Sequence, residues 1–600
     1  AGTVAGLSGR QVATIIDTGS AITLKIGGQD VRWSGAQSGV WSTTAVAGSF
    51  NWKQVPANTG TEFITNDVVT FGDDAPGTTN LLINDNTVTP TSVIFDNSTL
   101  DYTLSGTDGI ATGSLTKLGT KKLTISNANF YDGVTNLIDG VTLIENNSAL
   151  GSTVGNTVVA TNATLQLSGS LSVAENLILN GSGESSNGAL RSLAGNNTLI
   201  GTLALGSSGT FISSDNGSLT IGSAAGITGA GYGLSIIGNG NTTVTAGIKT
   251  GAANLTKEGN GVLTLNGPNT YTGATTVNGG SVIFNNTTFA SSSFLIESGT
   301  VVEIKNADTY AATATTFSGA GTLRKSGIGN LVWQTPVVNF ALSSGALIDV
   351  QEGTLTGGSN ANDIWTSNLS DLHVASGALF NGVEANVIVD VISGSGTISS
   401  GFNIASYTAG AGFTIGADNG SGSFDGLIIN GSFPGKIVKA GSGTQKLNGA
   451  NTYTGTTTIN GGTLVINGLQ NTATGAVAIA ANATLAGNGT LGGAVTNNGT
   501  IAPGDAGIGT LTVAASTSNA GAQWAVQYNA TTADKLTANG NLNLTNTVLN
   551  LTELSAPTAS SYVIAECTGT LSGTFANEPT LPSGYSLVID NVAKQVRIQM

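Results

Sequence analysis

Apolar and polar residues alternate along most of this chain in short runs that Gly and Asn separate. The runs are rich in Thr, Val, Ile and Leu, as in Thr463-Leu464-Val465-Ile466, and almost no segment has the period of a helix. Alternation with a period of two is typical of strands that bury one face. Gly and Asn tolerate positive φ angles, so the chain can turn a corner every few residues. The pattern therefore predicts an all-β protein built from many short strands.

An internal repeat is centred on four lysines. In each copy an apolar residue stands two positions before the lysine, a Gly stands two positions after it, and an apolar residue follows at the eighth position. The copies lie near Lys117, Lys257, Lys325 and Lys439. The sixth position is Leu in three copies and Gln445 in the fourth, a departure that we interpret as weakening that copy.

Three of these copies continue with an aromatic turn and a second strand. The turns occupy residues 129–133, 269–273 and 451–455, each with Tyr at its centre, whereas the copy at Lys325 lacks the turn. Short strands at this spacing can stack one coil above another, so that their inward side chains fill one narrow core. We predict a right-handed parallel β-helix with coils of about 20–22 residues, which would form a rod on the order of 130 Å long.

The two ends of the chain differ from its middle. Residues 1–112 hold three of the six Trp residues, which predicts an aromatic-rich β cap with the first coils, because open solenoid ends need covering. We assign residues 113–500 to the β-solenoid with its four lysine repeats, and residues 501–600 to C-terminal coils and a β cap. The repeats fade at 340–430, and the sequence leaves open whether this segment is a side domain or a set of degenerate coils.

Charge and hydropathy exclude several classes of partner. Charged residues make up 9% of the chain, and 19 Lys and Arg stand against 34 Asp and Glu, for a net charge of −15. Since the few cations are scattered, we expect no nucleic-acid partner. No run of about 18 apolar residues occurs, so we expect no membrane-spanning helix. The chain starts with Ala1 and its only Met is Met600, which a removed secretory signal would explain.

Two strings in the chain carry a family resemblance. The autotransporter-associated β-strand repeat of bacterial secreted and surface proteins resembles LTKEGNGVLTLNGPNTYTGATTVNGGSV (255–282) and IVKAGSGTQKLNGANTYTGTTTINGGTLVING (437–468). The opening from Trp33 to Phe71 resembles the leader of such proteins, and residues 487–513 resemble the C-terminal part of autotransporter passengers. The resemblance implies a β-helical passenger at the cell surface or outside the cell, where it serves adhesion, surface architecture or display.

Candidate catalytic residues are few. The sequence DTGS at 17–20 spells an aspartic-protease motif, but no second copy supplies the partner carboxylate, so we interpret it as a turn between strands. His373 is the only histidine, which limits a Ser-His-Asp triad to one place and excludes a multi-histidine metal site within one chain. We expect His373 to be a half-exposed loop residue. Cys567 is the only cysteine, and its strand-like run predicts a small core residue.

Parallel β-helices also house polysaccharide lyases and hydrolases, and the hydrolases need a carboxylate pair. Asp73 and Asp74 are neighbours, so on a strand they would face opposite sides. The loop DNGSGSFD at 418–425 offers oxygen ligands, but it lacks the spacing and closing Glu of an EF-hand, and we expect a solvated turn. The Gly-rich residues 229–240 lack the lysine of a phosphate loop. We expect no catalytic residues, no metal site and no cofactor.

The sequence therefore predicts a non-enzymatic extracellular β-solenoid that acts as a surface adhesin or structural scaffold, with surface glycans or proteins of host or neighbouring cells as partners. One alternative is the self-assembling subunit of an extracellular fibre or sheath, because a weakly charged solenoid repels its copies little. Another is a glycan-binding or glycan-cleaving β-helix protein. If the chain carries a specific site, we expect it at 340–430, which holds Trp365, His373 and the 418–425 loop.

Overall fold

The computed structural model describes residues 10–17, 19, 21–43, 50–311, 315–333, 338–357, 364–382, 386–400, 412–431 and 433–600. The chain divides into two compact units, residues 1–292 and 293–600. Regular structure in the described ranges is strand, apart from one 3₁₀ turn at Glu184–Ser186. Among those residues no helix is long and apolar enough to cross a membrane. The predicted parallel β-solenoid is confirmed by the strand pairing within each unit.

Most described strands of the first unit form three parallel stacks. In the repeats one coil takes 20 residues, so Leu115 lies opposite Thr135 and Leu255 opposite Thr275. The first stack contains Val68–Gly72, Ser92–Asp96, Leu115–Lys117, the first parts of Thr135–Ile144 and Asn156–Ser168, Asn176–Leu179, Leu203–Leu205, Ile227–Thr228 and Ile248–Lys249. The second contains Asn80–Leu82, Tyr102–Ser105, Leu123–Ile125, the last parts of the same two long strands, Leu190–Ala194, Thr210–Ser214, Leu234–Ile237, Leu255–Lys257 and Thr275–Val277. The third contains Ser172–Val173, Asn196–Leu199, Ser218–Ile221, Asn241–Val244, Val262–Leu265 and Ser281–Asn285.

Antiparallel strands precede these coils. They are the hairpin of Val12–Asp17 with Ile22–Gly27, and the group of Asp30–Trp33, Trp52–Gln54 and Gly60–Thr61. Asp30–Trp33 also lies parallel to Val68–Gly72, so it joins this group to the first stack. Asp17 ends the first strand of the hairpin and accepts from the N–H of Gly19 at 2.8 Å before the second strand begins at Ile22, as expected for a turn between strands. Residues 18 and 20 of the 17–20 motif lie outside the described residues.

Aromatic rings fill the start of the first unit, as the Trp content predicts. Trp33, Trp41 and Trp52 are buried, and Trp52 meets Trp33 and Trp41 edge to face at ring distances of 5.0 and 5.6 Å. Phe71 lies 5.3 Å from Trp41 and stacks on Phe95 of the next coil at 4.7 Å. Large rings in edge-to-face contact bury much apolar surface for few residues, which suits a region where coils begin.

The strands of the second unit are also parallel from coil to coil. One stack contains Ser293–Ile296, Thr315–Gly319 and Val338–Leu342. The longest contains Val301–Lys305, Thr322–Ser326, Leu347–Val350, Asp371–Val374, Ile392–Gly394, Gly422–Phe424, Thr444–Leu447, Gly462–Ile466, Ala483–Gly487, Thr500–Pro503, Gln523–Tyr528 and Val548–Glu553. A third contains Tyr310–Ala311, Asn330–Val332, Thr354–Thr356, Leu379–Asn381, Thr397–Ser400 and Leu427–Asn430.

Two further stacks complete the described strands of this unit. One contains Val387–Val389, Phe413–Ile415, Ile437–Lys439, Thr457–Ile459, Val477–Ile479, Ala494–Asn497, Ala515–Ser518, Leu542–Asn543 and Leu571–Ser572. The other contains Leu469–Gln470, Thr490–Leu491, Thr510–Val513, Lys535–Ala538, Ser561–Cys567, Gln595–Gln599 and Ser586–Asp590. Its last two strands pair antiparallel, which confirms the predicted terminal β cap.

The segment 340–430 continues the coils wherever it is described. Its strands belong to the same parallel stacks as their neighbours, so this part consists of degenerate coils. Trp365 is buried and stacks on Phe340 at 4.0 Å.

In most described strands alternate residues enter the core of the coils. In Asn196–Leu199, Asn197 and Leu199 are buried, whereas Asn196 and Thr198 face outward. The inward Leu199 lies opposite Ile221 of the next coil, so apolar side chains stack along the unit. The same register places outward side chains in rows, and these rows form the accessible surface of the coils.

Candidate functional site

The repeat lysines are buried, and each joins two coils. The ammonium of Lys257 donates to the backbone oxygens of Glu258 (2.7 Å) and Gly259 (2.9 Å) in its own corner, and of Gly279 (3.4 Å) in the next coil. Three carbonyl oxygens suit the three protons of an ammonium, which explains how a charged group can remain inside the coil. The same arrangement recurs at Lys325 and Lys439, and Lys117 reaches Gly119 and Asp139.

The glycine two positions after each lysine allows this corner. Gly259 has a φ of +70°, and a Cβ there would lie 2.4 Å from the backbone oxygen of Gly238. Only glycine can turn the chain this closely against the preceding coil. Burial lowers the pKa of Lys257 to about 8, and it lowers the pKa of Lys117 and of Lys325 to about 8 as well. These lysines are structural groups of the corner, with no free ammonium to offer a ligand.

The aromatic turn of the repeat is also structural. The hydroxyl of Tyr271 lies 2.7 Å from Oγ1 of Thr275, and both side chains are buried. Oδ1 of Asn269 accepts from the backbone N–H of Ile248 in the preceding coil at 3.0 Å. Matching contacts are made by Tyr131 with Thr135, Tyr453 with Thr457, Asn129 with Ile110, and Asn451 with Ile428. The turn therefore fixes one coil against the next.

Gln445, the departure from Leu that we interpret as weakening its copy of the repeat, makes buried hydrogen bonds of its own. Its buried amide accepts from the N–H of Ile392 (3.1 Å) and donates to the carbonyl of Ile392 (3.0 Å). Gly422 is the strand partner of Gln445 and has no side chain to block this reach. The amide satisfies backbone groups of an irregular coil, which a leucine could not do.

His373 lies in the strand Asp371–Val374, so the prediction of a loop residue is wrong. Leu372 and Val374 point inward, which leaves His373 half-buried on the outer face. In the register Asp349 precedes it and Ser393 follows it, and Nδ1 of His373 lies 3.2 Å from Oγ of Ser393. These are the residue types of a hydrolase triad in one row.

The carboxylate of this row is directed elsewhere. Asp349 accepts from Nε of Arg324 at 2.9 Å and from Nε2 of Gln351 at 2.6 Å. No hydrogen bond joins Asp349 to His373 among the described residues, whereas a working triad requires the carboxylate to orient the imidazole. The row is an outward polar ladder without that geometry.

Neither Asp73 and Asp74 nor Cys567 forms a catalytic arrangement. Asp73 accepts hydrogen bonds from the backbone N–H groups of residues 98–100. Burial raises the pKa of Asp73, but these hydrogen bonds outweigh it and the pKa is lowered. Asp74 forms an ion pair with Arg32 at 2.7 Å. Cys567 is buried in its strand, as predicted, and burial raises the pKa of its thiol. The nucleophile is therefore protected and protonated.

The 418–425 loop makes hydrogen bonds with Asp390 and Asn448 of neighbouring coils. The N–H groups of Asp418 and Gly420 donate to Oδ1 of Asp390 at 2.7 and 3.0 Å, and Asp425 accepts from Asn448 at 2.6 Å. Its residues Gly422–Phe424 form a strand of the longest stack rather than a solvated turn throughout. In the described part of the chain no group of three or more His, Cys, Asp and Glu side chains could hold a metal ion.

Two rows of threonine lie on the outer surface of the coils. In the first unit Thr198, Thr220, Thr243 and Thr264 are mutual strand partners and are all half-buried. A second row in the other unit consists of Thr444, Thr463, Thr484 and Thr500. Neighbouring strands lie about 4.8 Å apart, so each row is a ladder of hydroxyl and methyl groups at that spacing. Strand alternation predicts outward threonines, but their alignment needs the register between coils.

Three of the four lysine repeats match a known family of repeats. The passenger-associated-transport-repeat family matches residues 115–144, 255–283 and 437–466. The chain contains passenger repeats. Each begins at the strand with the buried lysine and extends past the Tyr turn into the next coil. The corner at Lys325 has the same lysine contacts without a match to this family.

One relative is the adhesin BmaC autotransporter of Brucella suis biovar 1 (strain 1330). It is 28% identical to this chain in an alignment of 305 positions that covers 44% of this chain and 9% of the adhesin. The chain therefore spans a small fraction of that relative's length. The matches confirm the predicted resemblance to autotransporter passengers.

Proposed function

We propose that this chain is a non-enzymatic part of a surface adhesin outside the cell, where its coils present polar side chains to glycans or proteins of host or neighbouring cells. The observation that carries the proposal is the set of passenger repeats, whose lysine corners and Tyr turns build parallel coils. The relative named an adhesin autotransporter supports a surface location.

The outward threonine rows support a binding role. A threonine hydroxyl both donates and accepts hydrogen bonds, and its methyl group offers a small apolar contact. Because the rows are set by paired strands, these groups are held in place before a ligand arrives. Equivalent groups repeated along a stack would let a polymeric ligand make several weak contacts at once.

Adherence of coated beads tests the adhesin function. Beads carrying the purified chain at fixed density would be counted on cell monolayers and on bacterial lawns, beside albumin-coated beads. We expect more of the chain-coated beads to remain after washing, and heating the chain to unfold it should remove the difference. Equal adherence of albumin-coated beads would contradict the proposal.

The non-enzymatic part of the proposal has its own test. The Asp349, His373 and Ser393 row is the arrangement closest to a hydrolase site, so the chain would be treated with a fluorophosphonate probe and incubated with a panel of polysaccharides and esters. We expect no labelling of Ser393 and no product. Labelling that Ser393→Ala abolishes would make the protein a hydrolase.

A second candidate is self-assembly, which the N-terminal hairpin favours. Ile15 and Ile22 are 71% and 76% exposed, and Val12 and Leu24 about half exposed. An exposed apolar strand pair is prone to associate with another copy. Light scattering across a concentration series would detect this, and Ile15→Lys with Ile22→Lys should abolish any growth in mass. A constant monomer mass would count against the candidate.

A further inference from the structure

Two cations face each other beside the aromatic cluster of the first unit. Arg32 and Lys53 are direct partners in the antiparallel pair of Asp30–Trp33 with Trp52–Gln54. Their neighbours Val31, Trp33 and Trp52 are buried, so both cations point to the outer face. Like charges directly opposite each other destabilise a strand pair. In a chain with 19 cations, this pairing calls for a compensating anion.

The protein supplies one carboxylate for the two cations. Asp74 accepts from Arg32 at 2.7 Å, and both side chains are about half exposed. The ammonium of Lys53 makes no hydrogen bond or ion pair with the described residues, and Asp73 is occupied by backbone N–H groups. Asp30 lies two positions before Arg32 on the same strand but does not line the cavity between the cations. Among the described residues that line the cavity, two cations therefore stand against one carboxylate.

A shaped cavity of about 300 Å³ lies at this place. Its lining includes the charged Arg32, Lys53 and Asp74 and, from the turn after the second strand, Asn58 and the apolar Pro56. This turn is held by hydrogen bonds from the N–H of Asn58 to the carbonyl of Gln54 (2.7 Å) and from the N–H of Gln54 to Thr59 (2.9 Å). The volume is at the lower end of the range for small-molecule sites.

We propose that this cavity binds the carboxylate of an acidic sugar at the surface of another cell or its matrix. The planar guanidinium of Arg32 has five donors, of which Asp74 uses one, so the others can hold a second carboxylate in two-point contact. Lys53 adds a point charge, and the amide of Asn58 and the apolar face of Pro56 suit the hydroxyls and C–H groups of a sugar ring. The inference rests on the proposed adhesin function and gives it a ligand class.

Ligand-observed NMR with the full chain tests this site. The probes are tri-galacturonate, its neutral methyl ester and a sulfated neutral trisaccharide. Since charge-assisted hydrogen bonds contribute about 1.5–3 kcal/mol each, Arg32→Gln should weaken tri-galacturonate binding at least about tenfold, and Lys53→Gln several-fold. Asp74→Asn should strengthen it, because the internal competitor is lost. Lys122→Gln, an exposed lysine of a later coil, is the control and should change nothing.

Each outcome is decisive. Equal binding of the methyl ester, or unchanged binding by both cation variants with native circular dichroism, would overturn the proposal. Tighter binding of the sulfated probe would overturn the carboxylate assignment. Bead adherence separates the two levels: if the native chain adheres but does not bind tri-galacturonate, the adhesin function stands and this site fails. If it binds but does not adhere, the site stands and the adhesin function fails.

Discussion

Replacing the buried lysine of a passenger repeat tests the role of the lysine corner. Lys257→Met keeps an unbranched side chain of similar length but removes the donor to Glu258, Gly259 and Gly279. The carbonyl of Gly279 belongs to the next coil, so the substitution removes both a corner contact and a contact between coils. We expect the local stability of these two coils to fall.

The size of this effect follows from the contacts. Hydrogen bonds to a charged group contribute about 1.5–3 kcal/mol each, and two of the three are short. The cost of burying the ammonium, which also lowers the pKa of Lys257 to about 8, offsets part of this gain. We therefore expect a loss of about 2–4 kcal/mol. Since 1.4 kcal/mol is a factor of ten, backbone amides of the coil should exchange about 30- to 1000-fold faster.

Hydrogen exchange read by mass spectrometry is the suitable assay, because repeat proteins lose stability locally. Peptides that cover Leu255–Lys257 and Thr275–Val277 should lose protection, while those from distant coils should not. Lys249→Met is the control, since Lys249 is half exposed on a neighbouring strand and its change should cost less than about 0.5 kcal/mol. Equal protection in Lys257→Met and the native chain would refute the role assigned to the lysine corner.

Two further substitutions test buried polar groups. Burial raises the pKa of Glu175 to about 7 despite its hydrogen bond from Thr157, so the folded state binds more protons between pH 4.5 and 7. The stability that the protonated glutamate gives the folded state is present at low pH and is lost as the pH rises through 7. In urea titrations the free energy of unfolding of Glu175→Gln should therefore equal that of the native chain at pH 4 and exceed it by about 1–3 kcal/mol at pH 8. A difference between the two proteins that does not change with pH would contradict this. Gln445→Leu restores the repeat pattern yet should destabilise by about 2–4 kcal/mol, because Ile392 loses both amide contacts. An unchanged or raised melting temperature of Gln445→Leu would show that restoring the leucine stabilises the chain at least as much as the two hydrogen bonds to Ile392 do.

The amino-acid pattern is sufficient to predict the strands, the repeats and the family. It also contains a signal for the buried lysines, since Lys257 stands two positions after Leu255 and so shares its inward face. The same reasoning applies to His373, which alternates with Leu372 and Val374. The loop expected for His373 is wrong because this alternation places the residue on the outer face of a strand.

Other features depend on which coils lie next to each other. Gln445 reaches Ile392 across an intervening strand, 53 positions away in the sequence. The pairing of Arg32 with Lys53 depends on the register of an antiparallel pair across a long connection. No local pattern fixes these distances, because coil length varies from 20 residues at Lys257 to 25 at Lys325. The candidate binding cavity therefore had no signal in the sequence.

Disulfide trapping between neighbouring coils tests most directly the claim that the coils stack in register and present outward rows. Thr220→Cys and Thr243→Cys would be combined in a Cys567→Ala background, because these threonines are strand partners on the outer face. Neighbouring strands lie about 4.8 Å apart, within the range a disulfide can span. The account predicts rapid oxidation of this pair and none of the control pair Thr220→Cys with Lys249→Cys, whose residues lie in different stacks. Equal oxidation of both pairs, or of neither, would contradict the stacked-coil account.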